Sequence, residues 1–263
     1  MSGVLIDGRM VHYESLGRGE PIVFVHGWLG SWRYWVPVME VLAGRHRTYA
    51  LDLWGFGDSS KEQERYDVPT YVDMLVSFLD SLGLGRVPLV GHTLGAAIST
   101  ELAARSGEWV SKVLAVGLPL TAGAINPKLL NAGPNEVLAR LFWRRQRPYP
   151  EVEFSLPKTA RNAIALTIGS VARLNLLRTL ELIDVPLLTV YGARDTVISP
   201  QQAVEFGSNH LRARAIILPD SHHFPMLDQT AMFARLLQDF IDVDSVQGVR
   251  DLSIKDEWRR RTR

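Results

Sequence analysis

Cysteine is absent from the 263-residue sequence, which excludes disulfide bonds, thiolate metal sites and a cysteine nucleophile. An excess of charge of either sign is also missing, because 29 Lys and Arg residues face 28 Asp and Glu residues. The formal net charge of +1 creates no global field that would favour nucleic acid or a charged membrane surface. We therefore expect a small-molecule substrate and neither a nucleic-acid nor a membrane partner, while the oligomeric state stays open.

Long apolar runs are missing as well. No stretch approaches the roughly 18 consecutive apolar residues that a membrane-spanning helix needs. The first apolar run breaks at Asp7 and follows no basic stretch, which is unlike a secretory signal, so we expect a cytoplasmic protein. What is present, 46% hydrophobic and 22% charged residues, is the balance of a globular protein with a large core.

Strand-like and helix-like patterns alternate over most of the chain. Short apolar runs such as 87–90 are followed by segments with helical spacing of apolar residues, including expected helices at 200–209 and 226–241. This alternation predicts an α/β protein with a mostly parallel sheet of about eight strands, flanked by helices. An antiparallel pair is expected only at the start, where Asp7 and Gly8 form a favoured hairpin turn.

The alternation is interrupted once along the chain. Between residues 119 and 184 the helical patterns continue without a convincing buried strand, and the alternation then resumes. We therefore predict one core made of residues 1–118 and 185–242, with residues 119–184 inserted into it. Residues 243–263 are charged and end in an arginine-rich run, which predicts a solvated tail.

A glycine-flanked threonine lies where a predicted strand passes directly into a predicted helix. The sequence Gly91-x-Thr93-x-Gly95 resembles the nucleophile elbow G-x-S-x-G, whose central side chain is held clear of the strand by a strained backbone. Glycines are also common at ordinary strand-to-helix turns, so the motif alone does not identify a nucleophile elbow. The residues elsewhere in the chain decide between the two.

A second motif follows the strand that ends at residue 25. His26 and Gly27 resemble the H-G segment that precedes an oxyanion-hole donor, although the same pair also occurs in plain strand-ending turns. By that resemblance the backbone N–H groups of Trp28 and Leu94 would stabilise a negatively charged oxygen. The nearby aromatic residues Trp32, Tyr34 and Trp35 are expected to be mostly core.

Two loops after later strands supply a carboxylate and an imidazole. Asp195 follows the strand after the insertion, where it resembles a triad acid, although an aspartate that only caps the next helix is the plain alternative. His223 lies in a loop after the last predicted strand that resembles a G-H-F-P histidine loop, with His222 in place of the usual glycine.

The chain order nucleophile, acid, histidine is the order of the α/β-hydrolase fold family, which the sequence resembles over about residues 3–242. It most resembles the capped members, such as epoxide hydrolases, haloalkane dehalogenases and small esterases. The resemblance implies that residues 119–184 form a helical cap over the site. It also implies that the loop from Asp52 to Ser59, similar to the family's D-x-x-G-x-G-x-S loop, shapes the site without reacting.

The chain departs from the family pattern at Thr93, where serine is expected. A β-branched residue with positive φ costs on the order of 1–3 kcal/mol, and the extra methyl group crowds the site. Dehalogenase and epoxide-hydrolase chemistry require a carboxylate at this position, so both are excluded. Three functions stay open: hydrolysis of a small neutral or apolar ester or related acyl bond by Thr93, a cofactor-independent lyase or oxygenase with a His–Asp base, or a silent binding protein.

No cofactor and no metal are expected. The pairs Gly55/Gly57 and Gly83/Gly85 lack the third glycine and the strand-to-helix context of a dinucleotide site. The histidines show no i,i+4 ligand spacing. A basic cluster beside two aromatic residues is expected to be solvated surface; it consists of Arg140, Arg144, Arg145 and Arg147 with Phe142 and Trp143.

Overall fold

A computed structural model describes residues 2–61, 65–130, 149–203 and 213–255. Eight strands form one sheet in the order β1-β2-β4-β3-β5-β6-β7-β8, with β1 and β2 antiparallel and β3 to β8 parallel. The predicted fold class and the mostly parallel sheet are therefore confirmed. The strands are β1 Ser2–Ile6, β2 Arg9–Gly17, β3 Glu20–Val25, β4 His46–Leu51, β5 Val87–His92, β6 Val110–Val116, β7 Leu187–Gly192 and β8 Ala213–Leu218.

The opening hairpin forms where the sequence predicts it. Asp7 and Gly8 both have positive φ, 50° and 73°, which is the geometry of a type I′ turn and matches the twist of the two strands. By contrast, the inner strands carry few polar residues, because helices cover both faces of a parallel sheet. All six residues of β7 are buried, as are the last four of β3 and β6.

Helices pack in pairs around the sheet. The helix α1 (Val36–Leu42) contacts α9 (Thr230–Ile241), while α2 (Val68–Ser81) contacts α3 (Leu94–Arg105). The helix α3 begins directly after β5 and packs on β5 and β6, so the residue between them lies at the carboxyl edge of the sheet. No helix in the described ranges is both long enough and apolar enough to cross a bilayer.

Between β6 and β7 the described residues form helices and no strand longer than the single bridge between Ile125 and Ile198. Several of these helices rest on α2, α3 and the 3-10 turn at Trp32–Trp35. The basic cluster expected around residues 140–147 lies outside the described residues. The helices are α4 Pro127–Leu130, α5 Pro150–Ser155, α6 Ala163–Ala172 and α7 Leu176–Leu180.

The single helix expected at 226–241 is wrong. The structure has a short α8 (Pro225–Asp228) and then α9, separated by Gln229 with φ −136° and ψ 52°. The side chains at the break bond to the preceding loop, since Asp228 accepts from the His222 N–H and Gln229 accepts from Ser221. Of the helix expected at 200–209, residues 201–203 are helical and 204–209 lie outside the described residues.

The expectation of a solvated tail is wrong for its first part. Residues Val246–Asp251 form α10, which packs on β8 and is capped by the Ser245 hydroxyl. Val249 is fully buried and Leu252 is 8% exposed, so the apolar residues among the charges decide the structure here. Residues 256–263, with the arginine-rich run, lie outside the described residues.

Candidate active site

Thr93 occupies a sharp turn between β5 and α3, with φ 47° and ψ −96°, as the elbow motif predicts. The two flanking glycines permit the close packing around this turn. A Cβ on Gly91 would lie 2.3 Å from the carbonyl oxygen of Gly95, and a Cβ on Gly95 would lie 2.2 Å from that of Val25. A β-branched residue in this backbone conformation is strained by about 1–3 kcal/mol.

The structure brings Thr93, His223 and Asp195 together at the carboxyl ends of β5, β8 and β7. The Thr93 hydroxyl oxygen lies 3.1 Å from Nε2 of His223, and Nδ1 of His223 lies 2.9 Å from Oδ2 of Asp195. Thr93 and His223 are almost completely buried, and the Asp195 side chain is 1% exposed. The three side chains therefore form one buried hydrogen-bonded chain.

Asp195 determines which nitrogen of His223 carries the proton. Its Oδ1 accepts from the backbone N–H groups of Val197 and Ile198, at 2.7 and 3.1 Å, which leaves Oδ2 facing His223. Because a carboxylate only accepts, Nδ1 of His223 carries the proton, and Nε2 accepts from the Thr93 hydroxyl. Asp195 thus stabilises its own loop with one oxygen and orients the imidazole with the other.

The loop after β3 passes directly beside the Thr93 hydroxyl. A Cβ on Gly27 would lie 3.1 Å from that oxygen, so glycine permits the approach. Within the described residues, the backbone N–H groups of Trp28 and Leu94 have no hydrogen-bond partner, although both residues are buried. Two unpaired donors near the hydroxyl match the arrangement that stabilises a developing oxyanion.

His26 is part of the loop's scaffold. Its Nδ1–H donates to the Gly27 carbonyl at 2.8 Å, and its Nε2 accepts from the Leu53 N–H at 3.0 Å. Burial lowers the pKa of His26 to about 4, which keeps the ring neutral. Trp28 is held in addition by its indole N–H, which donates to the Thr167 hydroxyl on α6 at 3.1 Å.

The Asp52 loop supports the same region. Asp52 accepts from the N–H groups of Trp32 and Asp58 at 2.8 and 2.7 Å, and burial raises its pKa to about 7. His12, Asp52 and Asp58 are the one group among the described residues whose ligand atoms lie close enough together to hold a metal ion. Lys158 and Arg33 already supply positive charge at Asp58, so the absence of a metal stays our expectation.

Sequence reasoning missed several side chains that touch this site. Tyr34, expected in the core, bonds to His92, which precedes Thr93 in the elbow. Asp228 accepts from the Tyr149 hydroxyl at 2.6 Å and from the His222 N–H at 2.7 Å, so it fixes the histidine loop. The sequence carried one signal for these contacts, which is that His92 is a polar residue at the buried end of a strand.

Comparisons with known proteins agree with this architecture. A family model described as the alpha/beta hydrolase fold matches residues 20–149. The pimeloyl-(acyl-carrier protein) methyl ester esterase of Aeromonas hydrophila is 24% identical over 265 residues, covering 88% of this chain and 99% of the esterase. The 2-hydroxymuconate semialdehyde hydrolase of Pseudomonas sp. strain CF600 is 26% identical, covering 90% of this chain and 92% of the hydrolase.

A solved structure gives the same result in three dimensions. The enol-lactonase from Burkholderia xenovorans LB400 matches with a TM-score of 0.81 at 19% identity, over 92% of this chain and 100% of the lactonase. At that identity the match shows a shared fold. Taken with the sheet order and the matched family model, the structural match shows that the chain has the fold of the α/β-hydrolase family.

Proposed function

We propose that the protein hydrolyses a small neutral or apolar carboxylic ester or related acyl bond, with Thr93 as nucleophile. The observation that carries the proposal is the buried chain from the Thr93 hydroxyl through His223 to Asp195, at 3.1 and 2.9 Å. The order of these residues along the sequence and their places at the ends of β5, β7 and β8 support it. The methyl ester esterase and the hydrolase among the relatives support the same class of reaction.

The geometry supports a two-step acyl transfer. His223 Nε2 takes the proton of Thr93 as its oxygen attacks the substrate carbonyl, and Asp195 stabilises the imidazolium that forms. The N–H groups of Trp28 and Leu94 then hold the negative oxygen of the tetrahedral intermediate. His223 gives the proton to the departing alcohol, which leaves the acyl group on the Thr93 oxygen. A water molecule, deprotonated by His223, then attacks this ester, and His223 passes the proton to the Thr93 oxygen as the carboxylic acid is released.

Residues 119–184 act in this proposal as a cap over the core of residues 1–118 and 185–242. Three hydrogen bonds or ion pairs from the segment to the core support this role. Trp28 donates to Thr167, the hydroxyls of Ser31 and Ser155 lie 2.7 Å apart, and Lys158 pairs with Asp58. The segment is thus tied to the loops that border Thr93, where it would shape the substrate pocket.

The methyl group of Thr93 sets the expected rate. Threonine keeps the attacking oxygen, but the strain of its positive φ and the crowding by the methyl group both oppose reaction. A penalty of about 1.4–2.7 kcal/mol in the transition state corresponds to a roughly 10- to 100-fold slower reaction. We therefore expect slow but specific hydrolysis by the wild-type protein.

The test uses short activated esters, such as p-nitrophenyl acetate and butyrate, and three variants. Thr93→Ser should raise kcat/KM by about 10-fold or more, because serine keeps the nucleophile and lacks the methyl group. Thr93→Ala and His223→Ala should both reduce hydrolysis to the residual rate that donors and binding alone provide. Equal rates for wild type, Thr93→Ala and His223→Ala would overturn the proposal.

The completeness of the His223–Asp195 pair favours a second candidate, in which the pair serves as a base for a cofactor-independent lyase or oxygenase. The pair's hydrogen bonds do not depend on the side chain at position 93. In that case Thr93 only binds substrate, so Thr93→Ala should keep substantial activity while His223→Ala should not. No turnover by any variant would indicate a binding protein.

A further inference from the structure

Beneath Thr93, buried polar groups form a continuous hydrogen-bonded chain, here called the Tyr34–His92 bridge. The backbone N–H of Gly27 donates to the Tyr34 hydroxyl at 2.6 Å, and that hydroxyl lies 3.0 Å from Nδ1 of His92. Nε2 of His92 lies 2.9 Å from the backbone carbonyl oxygen of His223. The bridge therefore joins the loop that carries Trp28 to the backbone of the triad histidine.

Only one arrangement of protons satisfies the bridge. The His223 carbonyl oxygen can only accept, so Nε2 of His92 carries the proton. Nδ1 of the neutral ring then accepts from the Tyr34 hydroxyl, whose oxygen accepts from Gly27. Burial and the neighbouring His223 hold the pKa of His92 well below its usual range, in agreement with a neutral ring.

Packing gives the bridge little freedom to move. Tyr34 and His92 are fully buried, and their rings meet edge to face at 5.6 Å. A Cβ on Gly30 would lie 2.3 Å from the Tyr34 ring, and a Cβ on Gly27 would lie 2.9 Å from Nδ1 of His92 and 3.1 Å from the Thr93 hydroxyl. A shift of either ring would therefore displace the loop next to the reacting oxygen.

We propose that Tyr34 and His92 are positioning residues that set the distance between the Trp28 loop and His223. This inference rests on the proposed function, because the positions matter for catalysis only if Thr93, His223 and the N–H of Trp28 act together. All hydrogen-bonding capacity of His92 is used within the bridge, so it acts through His223 and not on a substrate.

The bridge also affects the charge of His92, which lies next to His223. The rings of His92 and His223 are only 4.6 Å apart between centroids. A protonated His92 would oppose the imidazolium that His223 must become during acyl transfer. By donating to Nδ1 of His92, the Tyr34 hydroxyl stabilises the neutral form, so the bridge keeps a competing positive charge away from the reacting histidine.

The first test compares Tyr34→Phe with Tyr71→Phe. Tyr71 is the matched control because its hydroxyl is equally buried and donates to the Trp54 carbonyl at 2.7 Å, and not to a residue of the bridge or of the triad. Tyr34→Phe should lower kcat for the short esters by about tenfold or more while KM changes less than about twofold. Tyr71→Phe should lower thermal stability and leave kcat unchanged. Equal losses of kcat in the two variants would overturn the inference.

The second test isolates the hydrogen bond from His92 to the His223 carbonyl from the rest of the bridge. Glutamine carries an amide donor near the position of Nε2, so His92→Gln keeps a donor for the His223 carbonyl, whereas His92→Leu keeps none. His92→Gln should retain several-fold more kcat than His92→Leu. The same loss in both variants would show that the donation to His223 has no positioning role.

A third measurement separates this inference from the proposed function. If the wild-type protein hydrolyses no ester, the proposed function fails, and the bridge is then read in the resting protein by proton NMR. The Nδ1–H of His223, bonded to Asp195, should give a far-downfield signal that moves or broadens in Tyr34→Phe and stays in place in Tyr71→Phe. An unchanged signal in Tyr34→Phe would overturn the bridge in either case.

Discussion

The two sides of the proposed site, called here the nucleophile side around Thr93 and the acid–base side around His223, are built by different means. Around Thr93, the decisive features belong to the backbone: a positive φ, the approach of glycine residues and the N–H groups of Trp28 and Leu94. Around His223, they belong to side chains, because Asp195 orients the ring and Asp228 holds the loop through the N–H of His222. One side depends on the path of the chain, the other on specific partners.

This difference explains how threonine can occupy the centre of the elbow, where serine is expected. The elbow constrains φ and the space around its glycines, and any residue that tolerates the strain can occupy the centre. The acid–base side has no comparable tolerance, because the tautomer of His223 depends on one carboxylate oxygen of Asp195. We expect substitutions on the acid–base side to lower kcat more than the free energy of unfolding. Substitutions on the nucleophile side should lower both.

Among substitutions outside Thr93 and His223, Asp195→Asn should give the largest effect on rate. The amide nitrogen of asparagine cannot accept from Nδ1–H, so His223 loses the partner that fixes its tautomer and stabilises its positive charge. We expect kcat to fall by about 10³- to 10⁴-fold, with little change in the midpoint of thermal unfolding. The control is Asp220→Asn, an exposed carboxylate on the neighbouring turn that pairs with Arg194, and its kcat should be unchanged. An Asp195→Asn protein with a third of wild-type activity would contradict the triad.

Gly91→Ala should give the largest effect on stability, because the added methyl group meets the backbone of Gly95 at 2.3 Å. Backbone cannot swing away as a side chain can, so we expect a loss of about 3 kcal/mol in the free energy of unfolding. The matched control is Gly107→Ala, where a Cβ meets nothing within 4 Å, and we expect a change below about 0.5 kcal/mol. Urea denaturation of both variants measures the difference. Similar values would mean that the elbow is not tightly packed.

The same contrast shows how much the sequence could predict. Gly91, Thr93 and Gly95 were found because a backbone requirement leaves glycines at fixed spacing, and the strands were found because a parallel sheet demands apolar runs. The partners Tyr34, His92 and Asp228 were missed because the bonds between Tyr34 and His92 and between Tyr149 and Asp228 join residues 58 and 79 positions apart, which leaves no local pattern. The break at Gln229 was missed because the apolar spacing of residues 226–241 is that of one continuous helix and carries no sign of the bond from Ser221 to Gln229.

His26 should make the nucleophile side sensitive to acid. Its folded-state pKa of about 4 lies below the ordinary value of 6.5, so the stability it contributes is fully present above pH 6.5 and is lost as the pH falls towards 4. Asp52 works in the opposite direction, because its raised pKa of about 7 makes its contribution largest at low pH and lost as the pH rises through 7. Because Asp52 is present in both proteins, the prediction is made for the difference in unfolding free energy between wild type and His26→Asn.

The difference in unfolding free energy between wild type and His26→Asn should shrink by roughly 2–3 kcal/mol between pH 7.5 and pH 4.5, because only the wild type loses the contribution of a neutral buried imidazole. Urea denaturation at a series of pH values gives the two stability curves. Curves that run parallel over this range would show that His26 takes up no proton on unfolding in the window. His92 keeps its imidazole in both proteins, and since burial and His223 lower its pKa more than His26 does, most of its contribution cancels from the comparison.

Thr167→Val should give the smallest effect and is the sharpest test of how the segment 119–184 supports the nucleophile side. Thr167 donates to the Ala163 carbonyl at 2.6 Å and accepts from the indole N–H of Trp28 at 3.1 Å. Valine has the same shape without the hydroxyl, so the indole N–H is left buried and unpaired. We expect a loss of about 1–2 kcal/mol in unfolding free energy and a kcat lower by about threefold to tenfold.

The chain offers a close control in Thr100→Val. Thr100 is also fully buried and also donates to a carbonyl one turn earlier, that of Ala96 at 2.7 Å, but it has no bond to Trp28. The part of the stability loss common to both variants is therefore the cost of removing a helical threonine hydroxyl, and the excess in Thr167→Val belongs to the Trp28 contact. If kcat falls equally in both variants, the contact does not position the oxyanion loop, and residues 119–184 act on that loop by packing alone.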